Sequence, residues 1–125
     1  MNLQAQIVNV PWLDNDDFRR YLYRMDLLWQ PSFSETFNNV TAEGAAADVS
    51  SVVSDAIGWA PKNWRARADS ATSIAAAGAA LIRERFAADN GWRALDAHNN
   101  AAAEQWSGWL SPQGYDYFAW ASFCR

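Results

Sequence analysis

The stretch TAEGAAADVSSVVSDAIGW, residues 41–59, holds the cleanest apolar periodicity in the chain. Ala42, Ala45, Ala46, Val49, Val52, Val53, Ala56 and Ile57 recur at helical spacing along one face, while Asp48, Ser51 and Asp55 fall on the other. Thr41 is a natural cap at its start, and Gly58 a natural residue just past its end. The pattern predicts one continuous amphipathic helix. An amphipathic helix must bury its apolar stripe against something, so the fold expected around it is helix on helix.

The segments on either side read the same way. In DNDDFRRYLYRMDLLWQP, residues 14–31, Asp14 can cap, Asp16 and Asp17 suit the positive end of a helix dipole, and Pro31 enforces a stop. Phe18, Tyr21, Leu22, Met25, Leu28 and Trp29 form its stripe. Ser32 with Glu35 three residues later is a capping-box pattern, which predicts a short helix over 33–38. Pro61 suits the first helical position, and little interrupts a helix from there to Asp89 except Gly78. Such a helix would be about 40 Å long unless kinked near Asp69–Ser70. Its centre, IAAAGAAL, lacks bulk and would let another helix approach closely. DNG at 89–91 reads as a stop. Beyond it, Trp92, Leu95, Asn99, Ala102, Trp106, Trp109 and Leu110 share a face, and Ser111–Pro112 launches a final helix to about Phe123.

The resulting expectation is an all-α antiparallel bundle of four long helices plus one short helix, in a single domain. Residues 1–13, loosely alternating at Leu3, Ala5 and Ile7, form an extended N-terminal arm, and residues 14–124 form the bundle. Half of the residues are hydrophobic, enough for a core without disulfides or a structural metal.

Charge narrows the partners. The net charge is −4, Lys62 is the only lysine, and the arginines are interleaved with acids or apolar residues. A nucleic-acid binder concentrates positive charge, so nucleic acid is disfavoured as a partner. The single cysteine, Cys124, excludes an intramolecular disulfide and suits a reducing compartment. The first residues lack the basic and apolar regions of a signal peptide. The longest uncharged apolar run, residues 70–82, is too short for a bilayer that needs about 20 residues. The location expected on these grounds is the cytoplasm or a viral assembly, not secretion.

No catalytic, cofactor or metal site is read from the sequence. His98 is the only histidine, and neither Asp96 nor Glu104 falls at i+3 or i+4 from it; it reads as a surface or half-buried residue. Cys124, next to the C-terminal residue, is a poor scaffold for a nucleophile. The acidic cluster at 14–17 fails as a calcium loop because Arg19 stands where glycine is required, and capping explains it better. There is no phosphate-binding glycine loop.

What remains is an aromatic excess. Eight tryptophans are several times the ordinary number, and alanine-rich helices need large rings to complete their packing. Trp106 and Trp109 fit that core role. Trp12, Tyr117, Trp120 and Phe123 do not lie on a core stripe, and Trp, Tyr and Arg dominate interface hot spots. They are the candidate partner-binding residues. The function expected is therefore a non-enzymatic protein–protein interaction or assembly module, acting on a protein partner or a second copy. Virion components, inhibitors of host defence and immunity partners are of this kind by class analogy. The competing expectation is a small-molecule-binding helical domain or small enzyme, with an aromatic-lined pocket between helices and Arg65, Arg67, Asn99 or Asn100 as polar anchors.

Overall fold

The structure, a computed structural model, describes residues 5–84 and 87–110. It is not an all-α bundle. The order is α1 (Asn15–Leu22), β1 (Leu28–Gln30), α2 (Asn39–Ala46), β2 (Ser51–Val53), a 3-10 turn (Lys62–Trp64), α3 (Ala71–Arg83) and α4 (Ala87–Leu110). The two strands pair in parallel, with Leu28 opposite Ser51, Trp29 opposite Val52 and Gln30 opposite Val53.

The stretch 41–59 shows why the helical expectation fails. Its helix, α2, starts earlier than Thr41: Asn38 is the cap, and its Oδ1 accepts from the Thr41 amide at 2.8 Å. It also ends earlier. Asp48 adopts a left-handed φ of 59°, a conformation Asp tolerates better than most residues, and the Val49 amide donates to Gly44 O at 2.8 Å. The chain then leaves as β2. Ser51, Val52 and Val53 are all fully buried, so the strand is covered on both faces. Ala42, Ala45, Val49, Val52, Val53 and Ile57 are buried as the stripe requires, but by a helix, a turn and a strand.

The other helix expectations are corrected for similar reasons. The helix starting at Asp14 keeps its cap, whose Oδ1 accepts from the Asp17 amide at 2.9 Å, but α1 stops at Leu22. Leu28–Gln30 is a strand with alternating faces, not another helical turn. No helix forms over 33–38: Glu35 Oε2 accepts from the adjacent Thr36 amide and makes no capping box with Ser32. The long helix from Pro61 is instead a 3-10 turn, an extended stretch and then α3, capped by Ser70 through the Ser73 amide. DNG does not stop a helix but lies inside α4. Residues 5–13 carry no helix or strand. The final helix expected from Pro112 lies outside the described residues.

The layers follow from two glycines. A Cβ on Gly44 of α2 would meet the Leu28 side chain, and a Cβ on Gly78 of α3 would meet the Trp29 indole. Adjacent strand residues point to opposite faces, so α2 covers one face of the sheet and α3 the other. The Gly78 segment does permit a close approach, but it is an indole that approaches. A third extended stretch continues the sheet: Arg65 bridges Val53 in parallel, and the Ala66 amide donates to Val53 O at 2.8 Å. Trp64, just before it, is fully buried among Ala45, Val52, Val53, Ile57, Ala60, Ala66, Leu81 and Ala87. Its indole N–H donates to Ala87 O at 2.9 Å, tying the core to the start of α4, which packs on α2.

Candidate functional sites

Three parallel stretches ending on the same edge create a cleft. It has a volume of about 340 Å³ and is bounded by Ser32 and Phe33 after β1, Ser54–Ala56 after β2, and Ala66–Asp69 after the third stretch. Ligands of open α/β sheets bind outside the carboxyl ends of parallel strands. Hydrogen bonds hold the cleft's loops. The Ser54 hydroxyl donates to Ser32 O, joining the ends of β1 and β2, and accepts from the Ala56 amide at 3.2 Å. Arg65 clasps the next turn, donating to Gly58 O at 2.9 Å, to Ala60 O at 3.0 Å and to Asp55 Oδ1 at 3.3 Å. The Arg67 amide donates to Ser73 Oγ at 3.0 Å, fixing the entry into α3.

Arg67 and Asp69 form a two-point pair on the rim, Nε to Oδ1 at 3.1 Å and Nη2 to Oδ2 at 3.0 Å. The guanidinium hydrogen bond, and then its charge, hold the Asp69 carboxyl below the usual carboxylate range; the same pairing raises Arg67. A depressed folded pKa contributes stability above the ordinary carboxylate range and loses it as pH falls through the depressed value. The pair is solvent-exposed and screened, so its effect on stability is small. The expected result is spectroscopic: Arg67→Gln returns the Asp69 titration to the ordinary range, read by carboxyl NMR. An unchanged midpoint would show that Arg67 is not the cause.

A second surface is aromatic. α4 buries only Ala87 and Gly91 completely, and from Asp96 onward nearly every residue is exposed. Trp106 and Trp109 are 58% and 71% exposed, so the expectation that they belong to a core stripe is overturned. The stripe fails because, among the described residues, α4 outruns the body it packs on. The two rings contact each other edge to face, with centroids 5.3 Å apart and planes at 72°. Trp12 is 90% exposed, beside a groove of about 470 Å³ lined by Val10, Leu13, Phe18, Tyr21 and Val40. Tyr117, Trp120, Phe123 and Cys124 lie outside the described residues.

The remaining sequence candidates are scattered. His98 is an exposed residue of α4 whose ring lies 5.5 Å from that of Phe37, which in turn lies 5.6 Å from Trp59. Asn100 donates to Asp96 on exposed helix at 3.2 Å, far in sequence from Arg67, which lines the strand-edge cleft, and from Arg65, which clasps the turn after β2. Phe33, Asp55 and Asp69 were missed as cleft residues because the sequence signal for parallel strands was hidden in the helical stripe. Among the described residues, no cluster of three His, Cys, Asp or Glu side chains is placed to hold a metal, and no helix is long and apolar enough to cross a membrane.

The fold described is a small α/β unit with a parallel sheet covered on both faces, a strand-edge cleft and a projecting aromatic helix. No protein-family model, curated protein or solved structure matches the chain.

Proposed function

We propose that this protein is a non-enzymatic binding or assembly module whose partner is a protein seated on the distal half of α4. The observation that carries the reading is the Trp106–Trp109 pair, in mutual edge contact and more than half exposed on a stretch of helix that extends past the rest of the described residues. Soluble monomers seldom present adjacent large rings this way, and such patches mark interaction sites. Tryptophan also contributes large contact area at low entropic cost in interface centres. The acidic balance of the chain disfavours nucleic acid as the occupant. Trp12 and its groove form a second contact region, and Tyr117, Trp120 and Phe123 stay in the proposal from their sequence pattern alone.

Because the Trp109 ring is 71% exposed and packs on no core among the described residues, Trp109→Ala leaves the unfolding midpoint unchanged. It weakens association at least about ten-fold, the scale of a hot-spot truncation. The measurement is quantitative pull-down from native extract beside sedimentation velocity of the purified chain. Association that is unaffected in both Trp106→Ala and Trp109→Ala defeats the proposal.

A further inference from the structure

We propose that the strand-edge cleft binds the vicinal diol of an uncharged sugar ring, carried either by a free glycoside or by the ribose of a nucleoside. The site is separate from α4 and goes beyond the assembly role. Its place is set by topology: residues 32–33, 54–56 and 66–69 each follow one of three parallel stretches, so the loops converge on one volume. Ala56, Ala66 and Ala68 line it without filling it. Phe33, 81% exposed, lines it with an aromatic ring that no packing requirement explains.

The chemistry of the rim selects the ligand. Asp55 and Asp69 place two carboxylates there, and Asp69 immediately precedes Ser70, the cap of α3. A carboxylate thus already stands next in sequence to the positive end of that helix, which disfavours an added anion. A bare cation gains little, since each carboxylate already holds a guanidinium: Asp55 that of Arg65, and Asp69 that of Arg67. What the lining still offers, on two residues of the same cleft, is one acceptor and one donor. Asp55 has a second oxygen unused, and Arg67 Nη1 makes no protein hydrogen bond among the described residues. Adjacent hydroxyls donate and accept at once, which satisfies both. The apolar face of the sugar, or a nucleobase attached to it, then lies against Phe33.

The test is an amide NMR titration of the isotope-labelled full chain with four separate probes: adenosine, methyl glucopyranoside, dideoxyadenosine lacking the diol, and inorganic phosphate. Saturable shifts are expected at Ala56, Ala66, Ala68 and Asp69 with a diol-bearing probe. Adenosine alone identifies a nucleoside, and the glucoside alone a carbohydrate. Dideoxyadenosine binds at least about ten-fold more weakly, the scale of one lost charge-assisted hydrogen bond. Asp55→Asn weakens the diol probe by a similar factor; its side chain is exposed, and an unchanged unfolding midpoint shows that the fold is intact. The proposal is overturned if neither diol probe moves these amides, if dideoxyadenosine matches adenosine, if phosphate moves them equally, or if Asp55→Asn binds like the parent.

Discussion

Trp64→Ala is expected to lower the unfolding free energy by about 3–5 kcal/mol, the usual range for truncating a large core aromatic. The residue is completely buried, and among the described residues it is the largest side chain that is. Its core neighbours are mostly small: Ala45, Ala60, Ala66 and Ala87, with Val52, Val53, Ile57 and Leu81. Alanines cannot extend into a vacated volume, so the cavity closes poorly and the cost lies toward the upper end. The substitution also removes the indole donor to Ala87 O, and with it a link between the 3-10 turn and α4. A domain of this size has roughly 5–15 kcal/mol in total. Urea denaturation followed by circular dichroism should therefore find the Trp64→Ala midpoint shifted far down, with a large share of the domain's stability lost. Trp64→Phe should fall between, since it keeps most of the ring volume but leaves a buried carbonyl short of a donor, at about 1–3 kcal/mol. A loss below about 1 kcal/mol for Trp64→Ala would show that the core is not organised around this ring.

Burial was more legible in the sequence than secondary structure. The residues picked out by the stripe at 42–57 are largely those the core uses, because apolar side chains go inside whichever element carries them. Period was the misleading signal. Val49, Val52 and Val53 satisfy helical spacing, yet a buried strand is a short continuous apolar run, and VV between serines fits that equally. The valines are β-branched, which favours the pleated alternative. Parallel pairing then depends on Leu28–Gln30, far away in sequence, and no local pattern announces such a partner. The cleft was illegible for the same reason, since its walls come from three segments that only the sheet brings together. Trp12 could be singled out because it lies off every stripe. Trp106 and Trp109 could not, because exposure there depends on where the body beneath α4 ends, and that is a property of the fold.

Gly91→Ala is expected to destabilise by about 1–3 kcal/mol, although alanine is the better helix former by about 1 kcal/mol. A Cβ at this position of α4 would lie 2.1 Å from Trp64 Cη2 and 2.3 Å from its Cζ2. One of the two must move. The indole is hydrogen-bonded to Ala87 and packed on all sides, so it cannot swing aside, and the first turns of α4 must lift away. Gly78→Ala is the control that isolates this argument. Its Cβ would come equally close, 2.3 Å, to Trp29 Cη2. But Trp29 is 48% exposed, and its ring can rotate toward solvent. Gly78→Ala should therefore cost less than Gly91→Ala, with the propensity gain offsetting part of the displaced packing. A second variant fixes the cause. Phenylalanine at position 64 lacks the far edge of the indole, so Gly91→Ala should cost clearly less in a Trp64→Phe background than in the parent. That non-additivity, on the order of 1 kcal/mol in a double-mutant cycle, is the signature of direct contact between the two positions. Equal costs in both backgrounds would mean that glycine is required at 91 for some reason other than the ring above it.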